Sequence, residues 1–344
     1  MQNHTFNVTP AYDDNGIPNF LDDSGELVEG IYSGLENKKY HALPALSSSA
    51  LKTFSVSPAH YFRSYLSDVD RKRSIAQERT FETGDLSHRL VLEPDGFYDE
   101  FAQELNPLDH PKALKTISDL TEKCCELGLK KSGKKSELID RLIDHQPNLA
   151  LSIWECISRV HINKNIGKSL VDPIVWEDAH RCVATTRANP LANELLTEGF
   201  PELTVLAKCQ NTGLWLKARP DWLRFDEVVV DYKTTRNASP RGFAKQAKEL
   251  NYALQQEFYV YVLSLVGIVV KGFHFVANEY IQADITECYT LDGEWIGTAR
   301  TEMNSLITEF DQCKTNDTWY GYDGNNTLKE IREPWYTKPR TPLS

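Results

Sequence analysis

The stretch Arg219-Pro220-Asp221-Trp222-Leu223, followed by Val228-Val229-Val230-Asp231-Tyr232-Lys233, decides how the rest of this 344-residue chain is read. Asp231 and Lys233 are separated by two, so on a strand both side chains leave the same face. The uncharged run Val228–Val230 predicts a buried strand that delivers its acid at the edge of a core. Asp221 lies ten residues before Asp231, on the preceding strand of an expected hairpin that turns at Phe225-Asp226-Glu227. Two carboxylates then converge at one end of a sheet with an ammonium beside them. Such an oxygen-rich set suits Mg²⁺ or Mn²⁺. A D-x-K triplet is common by chance, and a surface hairpin with a routine ion pair would look the same, so the neighbouring sequence has to decide.

Working outward, residues 203–208 (LTVLAK), 213–223 (GLWLKARPDWL) and 227–233 (EVVVDYK) read as strands, the first two parted by the turn-forming Gln210-Asn211-Thr212-Gly213. Residues 241–266 have helical spacing, a strand follows over 268–280, and a helix near 292–313 precedes a proline-rich tail. In front, Ser47–Ser49 offer N-cap hydroxyls to a first helix. Pro58 suits the first turn of a second helix, and a third is expected from about Thr80 to Leu92. Strands set between helices indicate an α/β core. The first 45 residues, rich in Asp, Asn and Gly, read as an irregular arm. Residues 106–147 stand apart: prolines bracket them, and between Lys112 and His145 eight Lys or Arg face six acids, against −11 for the whole chain. Leu114, Ile117, Leu120, Cys124 and Leu127 space an amphipathic helix that Gly128 stops, and a second helix follows. The core is therefore expected over 46–105 and 148–344, interrupted by a small helical insert.

A hydrophobic share of 41% with 25% charged residues excludes wholesale disorder, a collagen-like repeat and a membrane bundle. The longest apolar run, Phe258 to Val270, is 13 residues and broken by Ser264 and Gly267, too short for a bilayer. The acidic total argues against a nucleic-acid coat protein, so any DNA contact requires a local basic channel. Seven cysteines include no CxxC pair, which disfavours a zinc ribbon or iron–sulfur cluster. With a polar N-terminus lacking a signal-like apolar region, the default expectation is a reduced, cytoplasmic compartment and no membrane.

Three further features bear on the site. Gly84 and His88 are four apart on one face of the expected 80–92 helix. Gln255 and Tyr259 are likewise four apart on an otherwise apolar helix, where two polar tips need partners. Glu202 leads the strand before the hairpin. Together GxxxH (Gly84, His88), Glu202, PD (Pro220, Asp221), DxK (Asp231, Lys233) and QxxxY (Gln255, Tyr259) resemble the PD-(D/E)xK nuclease superfamily. Within it the chain is similar to the exonuclease VIII (RecE-type) branch, related to the lambda exonuclease and RecB nuclease domains. LSSSALKTFSVSPAHYF near the front, TGDLSHRLVLEPDGF around the histidine and WYGY near the end agree, so the likeness covers roughly residues 40–105 and 170–335. The insert departs from that family. Its Leu127-Gly128-Leu129, Ser132-Gly133-Lys134-Lys135, Leu138 and Arg141 resemble a SAP motif, a DNA-binding helix–loop–helix, with Lys134, Lys135 and Arg141 as its DNA contacts.

The resemblance implies a restriction-endonuclease-like core, a central mixed sheet flanked by helices. It implies Mg²⁺-dependent (or Mn²⁺-dependent) 5′→3′ digestion of linear double-stranded DNA, leaving 3′ tails for a single-strand annealing protein, by a ring-shaped homo-oligomer, a trimer or tetramer, encoded by a phage or prophage in a bacterial cell. Asp221 and Asp231 would ligate metal, with His88 and the Tyr232 backbone carbonyl beside them and Glu202 completing a second position. Lys233 would hold or deprotonate the nucleophile, as a lysine whose surroundings lower its pKa. Gln255 and Tyr259 would position the DNA strand or Lys233, and Ser49, Arg219 and Arg236 would hold the strand's phosphates. Two other readings keep parts of this: a RecB-like nuclease acting on nicks, flaps or single strands, and a non-catalytic DNA-binding adaptor. The intact acid–acid–lysine set argues against the adaptor.

Overall fold

A computed structural model describes residues 6–69, 75–322, 324 and 327–331, without the side chains of 75–81; the expected proline-rich tail lies beyond the described residues. No described helix is long and apolar enough to cross a membrane. The molecule is α/β, with helices packed around two five-stranded sheets and one two-stranded sheet.

The strand that carries Asp231 and Lys233, Val228–Thr235, runs parallel to Gly272–Glu279 and antiparallel to Trp222–Arg224, which makes its sheet mixed. Ile285–Tyr289 and Gly199–Pro201 complete that sheet on its two edges. The parallel pairing is possible because the chain crosses over through the helices Pro240–Glu249 and Tyr252–Leu265. The second sheet runs in the order Thr9–Pro10, Gly30–Ser33, Thr204–Lys208, Trp215–Ala218, Leu46–Ser47. One apolar core joins the two sheets, with Val205, Leu216, Leu223, Val229 and Phe275 packed against Leu254, Phe258 and Val262.

Residues 213–223, expected as one strand, are divided between the two sheets. Trp215–Ala218 belongs to one, Trp222–Arg224 to the other, and Arg219-Pro220-Asp221 forms the corner. Pro220 has no N–H for a ladder, so the strand breaks there. A second corner, at Glu202, passes beside it: Glu202 N–H donates to the Asp221 carbonyl at 3.1 Å. Glu202 sits at φ +50°, a left-handed backbone conformation that a non-glycine residue holds only when its surroundings impose it. Two corners side by side place two acids in one spot.

The expected irregular arm over residues 1–45 is corrected in its described part. Gly30–Ser33 is a strand paired with Thr204–Lys208, and Asn37–Ala42 is a helix. Ala11, Phe20, Leu27, Tyr32, Leu35 and Tyr40 form a buried cluster with Leu206. Its strands are too short for alternation to reveal, and their partners lie far along the chain. The insert has its own core of Leu120, Cys124, Leu138, Ile139 and Leu142, closed by Ile153, so its packing runs past the expected boundary at residue 147. Thr116 and Asp119 cap Ile117–Glu126 reciprocally, and Lys135–His145 is the second helix.

Candidate active site

His88 comes from the helix Ile75–Leu92. Gly84, one turn earlier, faces the strand that carries Asp231: a Cβ there would touch Thr234 Oγ1 at 3.4 Å. His88 Nε2 lies 3.0 Å from Asp221 Oδ2, and its Nδ1 lies 3.6 Å from Glu202 Oε1. One ligand atom from each of His88, Glu202 and Asp221 lies within 4.8 Å of the others.

Asp221 is fixed from several sides. The Tyr232 N–H donates to its Oδ2 at 2.7 Å, and Lys233 Nζ stands 3.9 Å from the same oxygen. Asp231 is fully buried and paired with Lys233, while Gln255 Nε2 donates to its Oδ2 at 2.8 Å. Lys233 and Asp231 do share one strand face. The negative charge of Asp221 acts on Asp231, so protonation of either acid affects the other.

Electrostatics follow from this crowding. Burial and the charge of Asp221 push Asp231 up to about 7, and burial pushes Glu202 up to about 7 against the pull of His88. Burial also disfavours charge on Asp221, but His88 and Lys233 hold it well below the carboxylate range. Burial works against protonated His88, yet Asp221 and Glu202 raise it to about 9. Burial drives two acids upward around one imidazole and one low carboxylate, and the N/O donor set of His88, Glu202 and Asp221 fits a divalent cation.

Two expectations about individual groups need correcting. Lys233 is not a lysine of lowered pKa: burial lowers it, but Asp231 and Asp221 outweigh that and hold it above the lysine range. It is a fixed cation, suited to offsetting charge rather than taking a proton. Arg219 does not present itself to a DNA strand. It is buried, donates to Leu35 O at 2.6 Å and Thr204 Oγ1 at 2.8 Å, and lies over the Tyr40 ring at 4.3 Å. Its Nε stands 3.8 Å from Glu202 Oε2, so it steadies that acid instead.

The remaining expected residues fall as follows. Gln255 holds Asp231, and Tyr259 lies buried one turn further along the same helix. Tyr232 contributes its amide N–H to Asp221. Ser49 and Arg236 are exposed, one at the start of the helix Ser48–Val56, the other just past the strand Val228–Thr235. In the insert, far along the chain from these groups, Lys134 is exposed, Lys135 pairs with Glu155, and Arg141 donates to the Lys130 and Ser132 carbonyls.

Sequence reasoning missed Lys52. Its Nζ donates to Gln255 Oε1 at 2.9 Å, extending the chain of contacts Lys52–Gln255–Asp231–Lys233. Burial, then the charge of Lys233, lowers it to about 8. Ser48 and Lys52 are four apart on the helix Ser48–Val56, from which Lys52 reaches the Gln255/Tyr259 helix. That shared face was the available signal.

The shifts predict how the metal-free protein responds to pH. His88 binds more protons folded than unfolded between its ordinary 6.5 and about 9, so its contribution is full below 6.5 and lost as pH rises through 9. Glu202 and Asp231 act in the same direction between their ordinary values and about 7. Asp221, held low, works oppositely, and its contribution disappears on acidification below its ordinary 3.8. Thermal melts in EDTA should therefore fall as pH rises from about 5 to 8, while stabilisation by Mn²⁺ grows over that interval because binding displaces protons. Above that interval Lys52 and Lys217, both lowered to about 8, work oppositely. A metal effect independent of pH would contradict this site.

Comparison with known proteins agrees with the fold. The crystal structure of a protein from Eubacterium rectale, named provisionally as an exonuclease, aligns over 87% of this chain and 96% of its own, with TM-score 0.50 and 11% identity. The solved structure of SSO0001 aligns over 68% of this chain and 87% of its own at 14% identity, but its TM-score of 0.24 carries no weight. No curated protein matches the sequence. The family profile described as a PDDEXK-like domain of unknown function (DUF3799) matches residues 47–329, a span that contains every site residue above. The chain belongs to that family, and its α/β core is that of the PD-(D/E)xK nuclease superfamily.

Proposed function

We propose that this protein is a metal-dependent exodeoxyribonuclease that resects linear double-stranded DNA in the 5′→3′ direction, leaving 3′ single-stranded tails for an annealing partner in recombination. The observation that carries the reading is the convergence of His88, Glu202 and Asp221 at a double corner, with the Asp231–Lys233 pair alongside. His88, Glu202 and Asp221 would hold the ion, Mg²⁺ or Mn²⁺, with Asp231 and the Tyr232 carbonyl as further ligands. The ion supplies Lewis acidity, lowering the pKa of water and offsetting charge on a phosphate. Lys233 adds a fixed positive charge where the phosphate becomes more negative. Gln255, itself held by Lys52, keeps Asp231 oriented. Arg236, exposed just past the strand that carries Asp231, would meet the strand's phosphates, whereas Ser49 lines a separate cavity across its own helix.

The polarity, the 3′ tails, the annealing partner, the ring of three or four copies and the phage or prophage origin in a bacterial cytoplasm rest on the RecE-type resemblance. A ring suits the charge of −11, since basic side chains can line a hole while acids face outward. The SAP-like insert serves as a duplex-capture module in this reading. Exposed Lys134 makes its phosphate contact, while Lys135 and Arg141 brace the loop behind it.

The test is digestion of linear duplex labelled at either end, with closed circles, nicked duplex and single strands in parallel. Mg²⁺-dependent loss of the 5′ label from linear duplex, with circles intact, is the expected result. Cutting of circles, or preference for nicks or single strands, would replace the exonuclease reading with another nuclease one. No cleavage of any substrate in Mg²⁺ or Mn²⁺ would remove the enzymatic reading.

A further inference from the structure

Behind the helix Ser48–Val56, on the side away from Asp231, lies a cavity of about 510 Å³. That volume is within the range of small-ligand sites, roughly 300–1,000 Å³. Ser49 and Ala50 of this helix line the cavity, while Lys52 of the same helix donates to Gln255 in the active site. One helix therefore separates the two.

The lining has two properties. The first is charge: it includes Lys217 and Lys314, with His41 pushed toward its neutral form by burial and by Lys217, and no Asp or Glu lines it, although Asp317 accepts from the Trp319 indole at 2.8 Å. Lys217 donates to the Tyr40, His41 and Leu43 carbonyls and so contributes field rather than a free donor, whereas Lys314 is exposed. The second is a ladder of flat rings. Tyr61 stacks on Tyr65 at 5.0 Å and 17°, and on Trp319 at 5.3 Å and 26°. Phe310 braces Tyr61 edge-on at 4.9 Å. The ladder remains open at one end, where Tyr65 is 46% exposed. Tyr65 lies within a π-helical turn, Phe62–Leu66, a distortion that recurs at functional sites. Trp319 is delivered by the WYGY segment, anchored where Ala59 N–H donates to the Tyr320 carbonyl at 2.9 Å. The contacts of the active site leave that segment without a role.

We propose that this cavity binds a nucleotide unit of single-stranded DNA, its base stacked on the Tyr65–Tyr61–Trp319 ladder and its phosphate drawn by Lys314 and the acid-free lining. This rests on the nuclease reading and adds to it a station for unpaired strand one helix away from the cutting site. Stacking on aromatic rings tolerates any base, and a basic rim supplies affinity that falls with salt.

The experiment uses the full chain in EDTA, so that nothing is cut, and a fluorescein-labelled oligodeoxythymidylate read by anisotropy. Tyr65→Ala should weaken binding about tenfold, and Tyr65→Phe, which keeps the ring, should bind as the wild type. Lys314→Glu should weaken binding and flatten its salt dependence. Competition by thymidine monophosphate at concentrations matching the oligomer would make a released nucleotide the occupant; no competition would make it the strand. Wild-type binding by both Tyr65→Ala and Lys314→Glu overturns the proposal, as does an equal loss on blunt duplex. Wild-type cleavage in Mg²⁺ is assayed separately. Cleavage without ring-dependent binding sinks the cavity alone, whereas ring-dependent binding without cleavage sinks the nuclease reading alone.

Discussion

Asp221→Asn should lower metal-dependent DNA cleavage by about 10³-fold or more while the protein stays folded. The amide keeps an oxygen to accept the Tyr232 N–H, which Asp221 Oδ2 now accepts at 2.7 Å. What disappears is the charge. His88, 3.0 Å away, loses the partner chiefly responsible for raising it to about 9 and reverts toward a neutral ring near neutral pH. Asp231 loses the negative neighbour that, after burial, pushes it up, and so ionises more readily. The site thus retains one fully charged acid in a new place but not the cluster at the double corner. Single-turnover cleavage of end-labelled linear duplex at saturating Mg²⁺ measures the effect, and circular dichroism checks the fold. A residual rate within tenfold of wild type would show that Asp221 is not central.

Lys233→Met should also cost about 10²–10³-fold in cleavage, but with the opposite effect on metal. Lys233 pairs with Asp231 and stands 3.9 Å from Asp221, so it occupies the acids that a cation would use. Removing it frees them: Mn²⁺ affinity should be retained or rise, while turnover falls. Asp231, fully buried, then lacks its counter-charge and takes up a proton in the absence of metal, which lowers stability at alkaline pH. Lys233→Arg should not restore the rate, because a planar fork does not replace a compact ammonium in a pocket closed by Asp231, Asp221 and Tyr252. Mn²⁺ titration beside single-turnover rates separates this variant from Asp221→Asn, which loses both. Wild-type turnover in Lys233→Met would remove the lysine from the reaction.

The strand Val228–Thr235 was legible because its signal is local. Three valines and an acid–x–lysine pair fix burial and facing with no reference to the rest of the chain. His88 and Gln255 were legible through helical spacing from Gly84 and Tyr259. What stayed hidden depends on distant segments. Arg219 looked like a phosphate ligand because nothing nearby announces that Leu35 and Tyr40 from the first 45 residues would close over it. Those residues looked irregular because Gly30–Ser33 is too short to show alternation and pairs with Thr204–Lys208. The charge state of Lys233 was misjudged for a related reason. Burial alone would lower it, but two carboxylates close by decide the sign. Lys52, in turn, reads as a solvent-facing lysine on an apolar helix until Gln255 is seen opposite it.

The central claim is that His88, Glu202 and Asp221 hold a divalent ion beside the Asp231–Lys233 pair. Anomalous diffraction from crystals soaked in Mn²⁺ tests it most directly. The account predicts a manganese peak bonded to His88, Glu202 and Asp221, absent in Asp221→Asn. A peak bound elsewhere, or none at a concentration that supports DNA cleavage, would contradict it.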